Sequence, residues 1–210
     1  MSEEAVKVLK RAREPKIRKF FLMDRDYAAT RAPGYRIENK TRLLRSGRIL
    51  GPEPGRRGFP NYPEAPRVLI DTKFGRPLRD WEECSQYWLI SDRMKAVLEE
   101  VDPQACAFVK CEMRLRNCEP GPGYWLCDVV RVLDAVEEAE SRVKIYDERG
   151  DKTYSLMGGA RLVFKEDVVR SAHIFRMAHL EPAVVCDQKF KDAYKAAGLR
   201  GISFRDAANY

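Results

Sequence analysis

The chain has 210 residues, 44% hydrophobic and 34% charged, with a net charge of +7 and an isoelectric point near 9.1. That length suits one or two domains with a real apolar core, and no run approaches the ~20 apolar residues of a membrane-spanning helix. The positive excess is moderate and concentrated in the first eighty residues, which suits an acidic protein partner or nucleic acid as well as a solvated surface.

The N-terminus, MSEEAVKVLKRARE, lacks the uninterrupted apolar core of a signal peptide. Residues 2–13 predict a helix with Val6 and Leu9 on one face and a basic end suited to a helix C-terminus. Residues 16–23, KIRKFFLM, predict a strand. From 24 to 66 regular pattern is scarce: prolines fall at 33, 52, 54, 60, 63 and 66 and glycines at 34, 47, 51, 55 and 58. A long irregular segment of this kind either has a function or wraps the core. Residues 68–70 predict a short strand, and 80–84 a helical turn.

Residues 87–101, YWLISDRMKAVLEEV, are the strongest unit. Tyr87, Trp88, Leu89 and Ile90 suit a half-buried strand. Ser91 can accept from the free N–H groups of a first helical turn. Met94, Val97, Leu98 and Val101 then form one helical face, and Asp102-Pro103 ends it. After a predicted strand over 105–116 and a Pro/Gly turn at 119–123, residues 124–133 (YWLCDVVRVL) predict its hairpin partner. An acidic loop covers 134–139. A second hairpin, 142–146 with 152–156, turns at 147–151. Residues 161–164 predict another strand, 165–171 a short helix and 174–177 a strand. The grammar of the first unit then recurs: Ala183–Cys186 is apolar, Asp187 caps, and Phe190, Ala193, Tyr194 and Ala197 form the face. Gly198 stands where a left-handed C-cap belongs. A last short strand is predicted over 201–204.

The sequence offers little that carries chemistry. Cys84, Cys106, Cys111, Cys118, Cys127 and Cys186 lie mostly in apolar text without a framework spacing, as in a reduced cytoplasmic protein. His173 and His179 flank IFRM, but local spacing gives neither a ligand nor an acid–base partner. A cysteine nucleophile with His173 is the weaker enzymatic reading. Gly158-Gly159 reads as a turn rather than a phosphate loop. No metal, cofactor or catalytic residue is expected. Arg42, Arg45, Arg48, Arg56 and Arg57, with Tyr35, Phe59 and Tyr62 between them, could touch phosphates or simply form a solvated loop.

Three blocks carry a resemblance: WLISDRMKAVLEEVDP, GYWLCDVVRVLDAV and HIFRMAHLEPAVVCDQKFKDAYKAAGLRGISF. Together, over roughly residues 85–205, they resemble the eleventh family of bacterial polymorphic-toxin immunity proteins. The motif positions are Ser91, Asp92, Tyr124, Trp125, Asp134, Ile174, Phe175, Arg176, Gly198, Gly201 and Phe204, with Asp187 as the second cap. Their order and spacing are specific, not any one of them. The resemblance implies a cytoplasmic antitoxin that binds an effector delivered by contact-dependent or type VI secretion, without catalysis.

The expectation is therefore an α+β fold: a mainly antiparallel sheet carrying two similar strand–helix units. Residues 1–84 would form a variable front region and 85–210 the immunity domain. The leading function is toxin neutralisation by protein–protein binding; the alternative is a basic nucleic-acid-binding or nucleotide-handling protein. Contacts are expected on the Arg-rich segment, through Tyr35, Arg42, Arg45, Arg48, Arg56, Arg57, Phe59 and Tyr62, because loops vary and Arg and Tyr favour interface centres.

Overall fold

The computed structural model describes residues 18–28, 31–44, 49–148 and 150–210; the helix predicted over 2–13 lies outside them. The strands are β1 (Phe20–Arg25), β2 (Tyr35–Ile37), β3 (Arg67–Ile70), β4 (Trp81–Cys84), β5 (Tyr87–Ser91), β6 (Cys106–Lys110), β7 (Glu112–Leu115), β8 (Tyr124–Val129), β9 (Val132–Leu133), β10 (Lys144–Glu148), β11 (Asp151–Ser155), β12 (Ile174–Met177), β13 (Leu180–Asp187) and β14 (Ile202–Asp206). The helices are α1 (Lys40–Leu43), α2 (Asp92–Val101), α3 (Glu166–Val169) and α4 (Gln188–Ala196). The fold is α+β and mainly antiparallel sheet.

Two sheets dominate, ordered β4-β5-β8-β6 and β14-β1-β13-β12-β9. Side chains alternate across a strand, and this alternation builds the layers. In β5, Trp88 and Ile90 face a central core that also takes the buried faces of α2 and α4, while Tyr87 and Leu89 face a second core. That second core lies against the small sheet β2-β3-β7. In the five-stranded sheet, Phe21, Ile174, Val184 and Cys186 face the central core. Phe20, Leu22, Phe175 and Val185 face a third, which Tyr154 of the hairpin β10–β11 helps to fill. Strands from both sides of residue 84 share each large sheet.

Several predicted elements differ from those observed. Residues 81–84 are strand β4, not a helical turn: Glu82 is buried and bound by Arg76 at 2.7 Å, so its charge does not require a solvated helix end. The strand predicted over 105–116 divides at Cys111, whose N–H goes to Tyr124 O, and the chain crosses from β6 in one sheet to β7 in another. The run 124–133 likewise divides, β8 staying in the first sheet and β9 joining the second. Residues 161–164 make only single bridges, Arg142 to Arg161 and Val136 to Phe164. The irregular 24–66 segment contains β2 and α1.

The two strand–helix units are alike in detail. Ser91 Oγ accepts from Met94 N–H at 3.2 Å and Asp187 Oδ1 from Phe190 N–H at 3.1 Å, one capping bond each. Each cap is followed fifteen residues later by the first residue of the next strand, Cys106 or Ile202. Ile90 pairs with Trp81 and Trp125, and Cys186 pairs with Ile174 and Phe21. One strand further on, Cys127 pairs with Phe108 and Met23 with Phe204. Lys95 Nζ sits 4.7 Å from the Trp125 ring centre and 5.0 Å from Phe108; Lys191 Nζ sits 3.5 Å from Phe21 and 6.0 Å from Phe204. The strand order β4-β5-β8-β6 thus matches β12-β13-β1-β14 position by position. The molecule is an internal duplication, with YWLCD at 124–128 the counterpart of FFLMD at 20–24.

The halves are bolted at both ends of α2. Asp80 accepts from Ser91 Oγ at 2.9 Å and from Arg200 N–H at 3.0 Å, tying the start of α2 to the approach to β14. At the other end Asp102 Oδ2 accepts from His173 N–H at 2.7 Å and Ile174 N–H at 3.2 Å, and pairs with Arg131. Burial pushes the Asp102 carboxyl up, but Arg131 and these N–H groups outweigh it and hold it below its ordinary value.

Candidate functional site

The segment from Gly51 to Tyr62 straps across the ends of the hairpins β4–β5 and β12–β13. Its fixed point is a buried carboxylate. Asp128, 0% exposed, accepts from Gly58 N–H at 2.7 Å, from Arg176 at 3.1 Å and from Arg57. Arg176 also donates to Val129 O at 2.9 Å and Glu181 O at 2.7 Å, and Arg57 lies 3.5 Å from the Glu181 carboxylate. Burial first, and the Arg57 charge second, lower the Arg176 guanidinium from its ordinary value. Tyr87 donates to Gly58 O at 3.1 Å, and the Phe59 ring lies 4.5 Å from that of Tyr87. Under the strap opens a pocket of about 460 Å³, whose lining includes Arg56, Arg57, Glu83, Trp88 and Glu181.

This geometry revises how the Arg-rich segment is presented. Tyr35, Phe59 and Tyr62 are half-buried against the second core rather than exposed: Tyr35 sits there as the first residue of β2, and Phe59 and Tyr62 hold the strap down. Tyr35 donates to Glu83 O at 2.9 Å, and burial pushes its phenol up; the Tyr62 phenol is raised for the same reason. Arg57, 15% exposed at its side chain, reaches inward to the buried Asp128. Arg42, with 70% of its side chain exposed, makes a surface pair with Glu64 at 3.5 Å. Arg56 is exposed. Arg45 and Arg48 lie outside the described residues.

The motif positions have structural partners. Trp125 donates to Asp92 at 2.7 Å, and Gly123 leaves room for that carboxylate: a Cβ there would lie 1.8 Å from Asp92 Oδ2. Phe175 is fully buried. Gly198 (φ 61°) and Gly201 (φ 125°) adopt backbone that glycine favours, and a Cβ at Gly201 would lie 2.3 Å from Trp81 O. Local spacing does not single out Asp128. Its signal was the aspartate ending both YWLCD and FFLMD, the counterpart Asp24 pairing with Arg205 at 2.9 Å.

One cluster has the grammar of an acid–base pair. His173 Nδ1 lies 2.8 Å from Asp187 Oδ2, which Arg18 also binds at 2.8 Å. Lys189 Nζ lies 3.2 Å from Nε2, the nitrogen a base would present, and Asp187 is already the α4 cap. Cys186 beside it is buried and its thiol is pushed well above its ordinary value, the opposite of an activated nucleophile. Among the described residues no group of three or more His, Cys, Asp or Glu is placed to hold a metal ion, and no helix is long and apolar enough to cross a membrane.

No curated protein matches the chain. The immunity protein family Imm11 does, over residues 19–209, a span that takes in β1 and every later strand and helix. The chain belongs to the Imm11 immunity protein family.

Proposed function

We propose that this protein neutralises a cognate bacterial toxin by stoichiometric binding, without turnover. The family match over residues 19–209 carries the reading. The internal pairing of Asp128, Asp187, Arg57 and Arg176 agrees with it, since these groups are already engaged in holding the fold. The protein would act in the cytoplasm, against an effector delivered by contact-dependent or type VI secretion. Its contact surface is the Arg-rich segment: Arg42, Arg45, Arg48 and Arg56 meet an acidic face of the toxin, and Tyr35, Arg57, Phe59 and Tyr62 hold the segment from beneath. Opposite charge there speeds encounter.

The test is protection of toxin-exposed cells, with co-purification of a candidate toxin domain from a neighbouring reading frame. Wild-type protein should protect and co-purify at near-physiological salt. Arg42→Glu with Arg56→Glu should fold normally and protect less. Absence of a complex with that domain would refute the reading. Tight binding of DNA or RNA with a steep salt dependence would favour the nucleic-acid alternative instead.

A further inference from the structure

The duplication makes a comparison possible that neither half offers alone. In antiparallel pairs, residues alternate between facing the partner strand and facing outward. Asp187 N–H donates to His173 O at 3.1 Å, which turns Arg176 of β12 outward. That outward edge is occupied. Arg176 N–H donates to Arg131 O at 2.8 Å and Ala178 N–H to Leu133 O at 3.0 Å, and β9 lies parallel to β12. The occupying strand is the continuation of β8 from the other half.

In the first half Ser91 N–H donates to Asp80 O at 3.0 Å, which turns Glu83 of β4 outward in the place of Arg176. β1, the counterpart of β8, begins the same crossing. Asp26 N–H donates to Gly201 O at 3.0 Å as Val130 N–H donates to Ala105 O at 2.8 Å. There the likeness ends. Asp26 Oδ1 accepts from Ala28 N–H at 3.0 Å, a local turn that carries the chain off the edge, and Arg79 pins the Asp26 carboxylate at 3.0 Å. β4 remains an edge strand whose one strand partner is β5; its outward Trp81 N–H already donates to Arg200 O at 3.2 Å, so the open part of the edge is at Glu83. Among the described residues nothing accepts from Glu83 N–H. Beside it lies an exposed aromatic: Arg25 is 3.8 Å from the Glu83 carboxylate and 5.7 Å from the ring of Tyr27, which is 70% exposed.

We infer that the outer edge of β4 is the seat for one short extended strand of the toxin, added parallel to β4 as β9 is added to β12, with an apolar side chain against Tyr27. The inference rests on the toxin-binding reading above. Strand addition takes its affinity from main-chain hydrogen bonds, so the decisive donor is Glu83 N–H. Tyr35, which donates to Glu83 O, occupies one lone pair of a carbonyl that has two.

A proline at an outward-facing edge position removes that donor without breaking the sheet. Glu83→Pro should therefore leave the fold intact and weaken binding of the toxin domain that co-purifies with wild-type protein by about tenfold or more. Glu83→Ala, which keeps the N–H, should bind within about twofold of wild type, since a solvent-exposed ion pair contributes little. Hydrogen exchange on the wild-type protein gives a readout independent of either variant: the Glu83 amide should slow when the toxin domain binds. Equal binding by Glu83→Pro, or an unchanged Glu83 amide in a formed complex, would overturn the strand seat and leave toxin binding standing. No complex with wild-type protein would overturn both. Slowing in the protein alone that grows with its concentration would assign the edge to a second copy of this chain and also overturn the proposal.

Discussion

Asp128 stands between two guanidinium groups in the interior, and removing it should be far worse than removing either partner. Asp128→Ala leaves Arg57 and Arg176 facing one another with no buried anion. The Arg176 side chain is 5% exposed, and the nearest other carboxylate, Glu181, is half in solvent. Stripping one partner from a buried ion pair costs about 3–5 kcal/mol, and here the group left behind carries two positive charges. Gly58 N–H also loses its acceptor, at about 1–3 kcal/mol for an unsatisfied buried donor. Arg176→Met is the control. It leaves Asp128 with Arg57 and the Gly58 N–H, one charge against one, while an unbranched side chain fills the space. Its loss should be smaller by about 2 kcal/mol or more. Urea denaturation reads both. Asp128→Ala should bring the midpoint down by a large part of a total stability of roughly 5–15 kcal/mol, with an unchanged slope. Asp128→Ala within about 1 kcal/mol of wild type, or Arg176→Met the more damaging of the two, would refute this account of the network.

Ser91→Ala should cost about 1–3 kcal/mol in the same assay, because it removes the α2 cap and also the donor to buried Asp80, and Asp187→Ala should cost at least as much, because it removes the α4 cap and the carboxylate that holds Arg18 and His173; a loss below about 0.5 kcal/mol for either would count against its two roles. Asp102 has its folded-state pKa held below the ordinary 3.8, so its contribution to stability is present above that value and is lost as pH falls through the lowered one. Asp102→Asn should flatten the acid limb of stability against pH below about 4, and an unchanged limb would argue against the bolt at the end of α2. A thiol reagent should find exposed Cys118 quickly in the native protein, while the buried Cys84, Cys111, Cys127 and Cys186 should react only on unfolding; burial pushes the Cys111 thiol up to about 12.

Much of the local structure was legible because it depends on neighbours in sequence. Ser91 and Asp187 are caps, each followed by an apolar helical face, and Gly198 takes the left-handed backbone that a C-cap needs. The full extent of the duplication was not legible, for a reason of chain order. In one copy the central strand β8 follows its strand–helix unit; in the other, β1 precedes it by most of the chain, so the two copies are permuted relative to one another. The buried network was hidden for a related reason: Arg57 and Asp128 are 71 positions apart, and Asp128 and Arg176 are 48 apart. Tyr35, Phe59 and Tyr62 read as exposed because prolines and glycines surround them, whereas only the folded sheet supplies the surface on which they rest.

The position of β1 also governs when the molecule comes into being. Synthesis runs from the N-terminus, yet both neighbours of β1 in the five-stranded sheet, β13 and β14, are made far downstream: Phe21 pairs with Cys186 and Asp206. A nascent chain carries FFLMD without its sheet partners until residues 185–206 have been made, and contacts of such long separation form slowly. The five-stranded sheet therefore cannot close around β1 until the second strand–helix unit and β14 have cleared the ribosome. A truncation just before β14 would leave one side of β1 as an open edge, inviting aggregation.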